Sequence, residues 1–228
     1  MVSTPHNYHP VPLPAHNYLP PEQAQAKAES FFVKMSKRHS IRDFSDADVD
    51  ENIIRTAIRT AARAPSGANQ QPWHFVAIQN AEMKQRIRDA AEAEEKAFYE
   101  GGGGDEWLAA LEPIGTGPDK PHITKAPWLI IVFVQRYGLR DDGTSYKHYY
   151  ARESVGIASG ILITALHTCG LSALIHTPNP MSFLNELCQR PKNEKPVMII
   201  PVGYPAPQAT VPQASLKKKA EKEILSVF

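Results

Sequence analysis

The chain has 228 residues, 42% of them hydrophobic and 21% charged, which is long enough for one sizeable α/β domain. A formal net charge of +1 gives no large basic field, so nucleic-acid binding through phosphate contacts is not expected. The two cysteines, Cys169 and Cys188, form no CxxC pair, which suits a reducing compartment, and the nine histidines show no metal-ligand spacing.

Residues 1–24 are predicted to form an extended arm, because they are rich in proline and show no apolar period. The first residues lack the basic start and apolar core of a signal peptide, so a cytoplasmic location is predicted. The uncharged run from Ser154 to Ile175 is long enough to be considered as a membrane span. Polar residues interrupt it, and Gly170 is typical of a helix end, so a buried helix followed by a strand is favoured over a membrane segment.

Helical and buried-strand patterns alternate along the rest of the chain, which predicts about four strands and five or more helices around a mixed sheet. In chain order the predictions are a helix over 21–37, a helix capped by Asp48 or Asp50 that ends at Pro65, a strand over 73–78, a helix over 81–100, a short helix around Trp107, a strand over 128–135, a helix over 148–169, and strands over 171–176 and 197–202.

Four familiar catalytic or nucleotide-binding motifs are absent from the sequence: GxGxxG after a strand, GKS or GKT, HExxH and GxSxG. The glycine run 101–104 precedes Asp105 and Glu106, whose charge does not suit a phosphate-binding loop. A mobile loop or lid is the favoured interpretation of this run.

The segment Arg38-His39-Ser40-Ile41-Arg42 follows the first predicted helix. If it is extended, Arg38, Ser40 and Arg42 project to one side, and two cations with a hydroxyl suit a phosphate monoester. The alternative is a solvated basic helix end that interacts with the helix dipole. A second segment, from Ala64 to Trp73, joins a helix to a strand, and its small residues allow the backbone to approach a flat ligand.

Five segments occur together: APSGA…PW, HYY…ES.GIA, HTP, RP.NEKP and PVGYP. Between about residue 25 and Pro212 they resemble the nitroreductase superfamily, and more closely its iodotyrosine deiodinase branch. The resemblance implies an α/β (α+β) three-layer fold, in which a mixed, mostly antiparallel central sheet is surrounded by helices. It also implies a domain-swapped homodimer that carries FMN, with the domain over residues 25–228 and a lid over about 90–125.

The resemblance implies FMN contacts from the basic segment, the small-residue loop and the HTP segment. Thr177 is the implied catalytic residue, because its hydroxyl would hydrogen-bond flavin N5. Lys218 is the nearest match to a family arginine that reaches the FMN phosphate, and a lysine supplies charge without a bidentate fork. The implied FMN residues are Arg38, His39, Ser40, Arg42, Pro65, Ser66, Gly67, Ile175, His176, Thr177 and Lys218.

In the deiodinase branch a glutamate, a tyrosine and a lysine clamp the zwitterionic end of a halotyrosine. The matching residues are Glu95, Tyr99 and Lys120, and the first two share a helix face because they are four apart. The backbone N–H of Ala68 would meet the substrate phenolate. Without the resemblance, these charges are also typical of a solvated helix face.

The resemblance therefore implies reductive dehalogenation of halogenated tyrosines by one-electron steps, with NAD(P)H acting directly or through a separate reductase. Two other functions stay open: a general NAD(P)H-dependent nitroreductase or quinone reductase, and a flavin- or halotyrosine-binding protein without catalysis. The long apolar helix from Tyr149 to Cys169 predicts an obligate dimer core for each of them.

Overall fold

The computed structural model describes residues 9–14 and 18–228, and the chain divides into two compact units, 1–37 and 38–228. In the first unit, α1 (Pro21–Ser36) begins with a proline at its first position, where no backbone donor is lost. The predicted arm is described over 9–14 and 18–24. Residues 9–14 and 18–20 form neither helix nor strand, whereas 21–24 are the first turn of α1 and not extended. The rest of the arm prediction lies outside the described residues.

The second unit contains the remaining helices and all the strands of the described chain. Asp50 caps its first helix by accepting a hydrogen bond from the Asn52 backbone, which decides between the two predicted caps. The helices are α2 (Glu51–Ala61), α3 (Ala81–Ala97), α4 (Asp105–Leu111), α5 (His122–Lys125), α6 (Ala151–Thr168) and α7 (Phe183–Leu187). The strands are β1 (Trp73–Ile78), β2 (Trp128–Gln135), β3 (Tyr137–Leu139), β4 (Ser145–Lys147), β5 (Ser172–Ala173) and β6 (Glu194–Gly203).

The central sheet has the strand order β1-β2-β6-β5, and all its neighbouring strands are antiparallel. A parallel bridge between Ser40 and Ala173 makes it mixed, as predicted. Strand β2 is buried on both faces, because alternate residues point to opposite sides. One side packs with α2 and α6, and the other with α3 and α7, so the three-layer α+β prediction is confirmed.

Several element boundaries differ from the sequence predictions. The helix predicted to end at Pro65 ends at Ala61. The helix predicted to start near His148 starts at Ala151, because Tyr150 has a left-handed φ of 51°. The helix predicted to reach residue 100 ends at Ala97 and gives way to a π-turn over Phe98–Gly102. The strand predicted over 171–176 pairs continuously only at β5, and His176 rejoins β6 through a bridge to Ile199. The last strand begins earlier than predicted, at the start of β6.

The hairpin formed by β3 and β4 was not predicted. Its turn contains Gly143 at a φ of 81°, and its strands have three residues each, too short to show a period. Within residues 9–14 and 18–228 no helix is long and apolar enough to cross a membrane. The uncharged run forms α6 from Ser154 onward, which buries Val155, Leu162 and Leu166 in the core, and then β5, so a buried helix followed by a strand is present as predicted.

Candidate active site

A cavity of about 210 Å³ opens in the second unit where the extended segment after α1, the end of α3, the α4 region, the start of α5 and the segment after β5 meet. The sheet brings the last of these into place through the His176 to Ile199 bridge. Of the sequence-predicted site residues, the cavity lining contains Arg42, Glu95, Tyr99, Lys120, Ile175, His176 and Thr177.

Glu95 and Lys120 form an ion pair inside this cavity, with 3.0 Å between Nζ and Oε2. Their side chains are only 13% and 4% exposed, so the attraction acts with little screening by water. Tyr99, one helical turn after Glu95, donates its hydroxyl to the Thr116 carbonyl at 3.0 Å. The Lys120 ammonium also donates to Thr116 Oγ1 at 3.2 Å and lies 5.6 Å from the centre of the Tyr99 ring. The structure thus brings the three predicted clamp residues together.

The backbone of Lys120 is held against α3 by a network that sequence reasoning missed. Its N–H donates to Glu92 Oε1 at 2.7 Å, and Arg88 pairs with the same carboxylate at 2.6 Å. A second nitrogen of Arg88 lies 2.6 Å from Asp119 Oδ1. The hydrogen bond to Glu92 raises the pKa of Arg88. Only the Arg88–Glu92 spacing of four was a visible signal, and the links to 119 and 120 are long-range.

Two histidines, His122 and His176, lie at the buried end of the cavity with their ring centroids 5.3 Å apart. Among the described residues, neither Nε2 atom has a hydrogen-bond partner, and His176 Nε2 lies 3.6 Å from Glu95 Oε1, beyond hydrogen-bonding distance. Burial, followed by the charge of Lys120, lowers the pKa of His122 to about 4. Burial, followed by the neighbouring His122, lowers the pKa of His176 to about 3. Both imidazoles are therefore neutral at neutral pH.

The sequence left open whether the basic segment after α1 is extended. It is extended at Ser40, which forms a bridge with Ala173, and the next residue, Ile41, is buried. Arg42 is half-buried in the cavity wall, and burial lowers the pKa of its guanidinium. Arg38, His39 and Ser40 are outside the cavity lining. The segment therefore contributes one of its two arginines to the cavity.

The loop between α2 and β1 has an unusual backbone, because Ala68, Asn69 and Gln71 all have positive φ. Gln71 N–H donates to Ser66 Oγ at 2.9 Å, and Gln70 is bonded to the segment before α6. A Cβ at Gly67 would overlap the Tyr149 carbonyl. The close approach of these two backbone segments therefore explains the glycine without any ligand. The predicted FMN residues Pro65, Ser66 and Gly67, and Ala68, do not line the cavity.

The predicted tail contact, Lys218, is also outside the cavity. Its ammonium is exposed and donates to the Ser215 carbonyl at 2.8 Å. The turn over Gln213–Leu216 packs against the turn over Glu112–Ile114, which follows α4.

Residues 98–117 cover the cavity with aromatic and aliphatic side chains. The Phe98 and Trp107 rings meet edge to face at 5.2 Å, and both line the cavity, although Trp107 is 58% exposed. Gly101 and Gly104 have positive φ, and among the described residues no atom lies within 4 Å of a Cβ built at either. Between them, a Cβ at Gly103 would overlap the Phe98 ring, so the glycine run is open at its two ends and packed against Phe98 in the middle.

The fold and this cavity are those of a known protein family. A model of the nitroreductase family matches residues 35–204, and the chain belongs to that family. BluB-like flavoprotein from Clostridium difficile 630 has the same fold, with a TM-score of 0.65 at 19% identity over 86% of this chain and 98% of its own.

Within the family, the chain is similar to iodotyrosine deiodinases. The protein of that name from Haliscomenobacter hydrossis is 46% identical over 88% of this chain and 90% of its own. Iodotyrosine deiodinase 1 from Homo sapiens is 38% identical, covering 92% and 73%. A crystal structure of iodotyrosine deiodinase bound to FMN and 3-iodo-L-tyrosine superposes with a TM-score of 0.71 at 30% identity, covering 87% and 98%. The resemblance stated from the sequence is confirmed.

Proposed function

We propose that the chain is an FMN-dependent oxidoreductase that reductively removes halide from halotyrosines, giving tyrosine. Relatives named iodotyrosine deiodinase, at up to 46% identity over most of the chain, support this function, as does a similar structure with FMN and 3-iodo-L-tyrosine. The observation that carries it is the buried pair of Glu95 and Lys120 in one cavity, because it places opposite charges where an amino-acid zwitterion would need them.

The side chains present fit FMN. A half-buried arginine, an exposed isoleucine and an exposed threonine hydroxyl line one cavity, offering a cation, an apolar edge and a donor. Two buried imidazole nitrogens there lack partners among the described residues and could accept from a bound group. FMN, when bound, would supply the electrons in one-electron steps. The residues proposed to hold it are Arg38, His39, Ser40, Arg42, Pro65, Ser66, Gly67, Ile175, His176, Thr177 and Lys218, with Thr177 as the catalytic hydroxyl.

Without substrate, Glu95 and Lys120 neutralise each other, which offsets the cost of burying two charges. A zwitterion can enter between them, because its ammonium replaces Lys120 as the partner of the carboxylate and its carboxylate replaces Glu95 as the partner of the lysine. One ion pair becomes two. Tyr99 would add a hydrogen bond once its hydroxyl leaves Thr116. This exchange gives selectivity for amino acids over simple phenols.

The aromatic cover would then exclude water from the substrate ring. We place the moving part of the proposed 90–125 lid at about 98–117, because the Arg88 and Glu92 network fixes the Lys120 end against α3. The Ala68 backbone N–H is proposed to bind the substrate phenolate. The overall reaction consumes one halotyrosine, two electrons and one proton, and releases tyrosine and halide.

We further propose that the protein acts as a homodimer. The proposed FMN residues lie in two groups, and only one lines the cavity, so a second copy could complete the site. Helix α6 has a face left open by the described residues, where Ile157 is 46% exposed and none of their atoms lies within 4 Å of a Cβ built at Gly156 or Gly160. The two cysteines are both unpaired, which suits the proposed cytoplasmic location.

The test is a titration of FMN-loaded protein with 3-iodotyrosine while flavin fluorescence is followed, and then reduction with dithionite and assay of tyrosine and iodide. Quenching with release of equal amounts of both products is expected. Quenching without tyrosine would leave a binding protein. Rapid oxidation of NADPH with nitroaromatics, and no response to iodotyrosine, would instead indicate a general nitroreductase.

A further inference from the structure

A second cavity, of about 640 Å³, lies beside the first, between the turn at 179–182 and the segment 190–196. Its wall includes four basic side chains and one acidic side chain: Arg136, Arg190, Lys192, Lys195 and Glu194. Most of these belong to the RP.NEKP segment, to which the proposed dehalogenation assigns no role. The chain as a whole has a formal charge of only +1, so the wall concentrates positive charge locally.

The acidic residue of this wall, Glu194, neutralises only one of the four positive charges. Glu194 is 4% exposed. The Arg190 guanidinium donates hydrogen bonds to both of its carboxylate oxygens, from Nε to Oε2 at 2.7 Å and from Nη2 to Oε1 at 2.9 Å. Gln135 adds a third bond at 3.2 Å. Arg190 and Glu194 therefore cancel each other. Within the described part of the chain, the other three cations of this wall take part in no ion pair.

The backbone that carries these cations is fixed by hydrogen bonds. Arg136 donates to the Lys192 carbonyl at 2.7 Å, and Asn185 donates to the Glu194 carbonyl at 2.9 Å. Asn193 donates its side-chain amide to the Tyr137 carbonyl at 3.0 Å. The positive charges are thus displayed from an ordered segment, which lowers the entropy cost of binding an anionic surface.

The two cavities are neighbours, because Asn179 lines both of them. Thr177, the proposed catalytic hydroxyl, is two residues earlier in the same segment. A partner bound at the basic cavity would therefore be adjacent to the proposed redox site, because the segment from Thr177 to Asn179 connects the two cavities.

We propose that the basic cavity is the docking site for an acidic, one-electron carrier protein that reduces this enzyme. The inference rests on the proposed function: each halotyrosine takes up two electrons and one proton, so two reduced carriers each lose one electron per turnover. A patch of exposed cations on an ordered backbone attracts and steers an acidic protein. Electron-transfer encounters also need little buried area.

The probe is reduced [2Fe–2S] ferredoxin with an acidic surface, mixed with FMN-loaded protein in a stopped-flow instrument at low and high ionic strength. The variant reverses two exposed charges, Lys192→Glu with Lys195→Glu. The matched control reverses two exposed charges at the end of α2, on the sheet face opposite α7, Arg59→Glu with Arg63→Glu, and so changes the net charge equally. At low salt, the second-order rate constant should fall by about tenfold or more in the variant and much less in the control. The difference should shrink at high salt.

Binding is measured separately, from the anisotropy of labelled oxidised ferredoxin on the FMN-loaded and FMN-free proteins, and should weaken in the variant only. Dithionite-driven dehalogenation should be equal in all three proteins. Equal losses in variant and control, or none, would overturn the docking site. So would a rise in the KM for NADPH with ferredoxin unaffected, which would indicate a nucleotide phosphate. If dithionite yields no tyrosine even from wild type while ferredoxin binding depends on the two lysines, the proposed dehalogenation fails and the docking surface stands.

Discussion

Lys120 places its ammonium 3.0 Å from the Glu95 carboxylate, although one residue lies on α3 and the other beyond the cavity cover. Both side chains are shielded from water, so each is the main counter-charge of the other. The two charges neutralise each other when no ligand is present, and they offer two charged partners when a zwitterion enters.

Replacing Glu95 with glutamine should weaken 3-iodotyrosine binding by roughly 30-fold or more, because removing one partner of a buried charge pair costs about 2–5 kcal/mol. FMN affinity should change little. Fluorescence titration measures both constants. The matched ligand is 3-(4-hydroxy-3-iodophenyl)propionate, which lacks the ammonium and should discriminate far less between the two proteins. Equal losses for FMN and iodotyrosine would argue against the clamp.

Replacing Arg88 with glutamine should also weaken iodotyrosine binding, by about tenfold, although Arg88 does not line the cavity. The change removes the ion pairs to Glu92 and Asp119 that hold the backbone of Lys120 against α3. Arg86→Gln is the control, since Arg86 is an exposed arginine on the same helix. Isothermal titration calorimetry measures the effect, and equal behaviour of the two variants would show that the network does not position Lys120.

Acid should destabilise the protein partly through His122 and His176. Their pKa values in the folded state are about 4 and about 3, below the ordinary value of 6.5, so the unfolded chain takes up more protons as pH falls. Their contribution is complete above about pH 6.5 and declines toward pH 3–4, by up to about 1.4 kcal/mol per pH unit for each histidine. Lys120 and Arg42, which line the same cavity, also lower the pKa of both histidines, and Glu95 lies 3.6 Å from His176.

Urea unfolding at several pH values between 5 and 7 measures this slope. Leucine at both histidine positions should flatten it, even if the absolute stability changes. Leucine at the buried His148, which is bonded to the Gln135 carbonyl and is outside the cavity, is the comparison. An unchanged slope in the double variant would contradict the assignment of neutral imidazoles.

Gly67→Ala should destabilise the chain by roughly 1–3 kcal/mol, because the added methyl group would overlap the Tyr149 backbone, which cannot rotate away. Gly117→Ala is the control, since no atom lies within 4 Å of a Cβ built there. Thermal unfolding of both variants measures the difference. Equal melting temperatures would mean that the loop between α2 and β1 relaxes without strain.

The local parts of this description could be read from the sequence. Helices and buried strands follow from apolar periods, and Glu95 and Tyr99 share a face because 3.6 residues make one helical turn. The basic segment and the loop of small residues before β1 were also recognisable in the sequence, although whether the basic segment is extended was left open. Weakly periodic features were missed, including the β3–β4 hairpin and the early end of the strand after Gly170.

The tertiary structure decided which of these segments meet. The pairing of Lys120 with Glu95, the burial of His122 beside His176, and the anchoring of residue 120 by Arg88 join residues whose separation follows no period. Three cations of the basic cavity, Arg190, Lys192 and Lys195, are neighbours in the sequence, and the fold adds Arg136 to them. Local backbone preferences determine where helices and strands begin and end, to within a few residues. A cavity depends instead on how the sheet packs with both helical layers, and that packing is specified only by the folded chain.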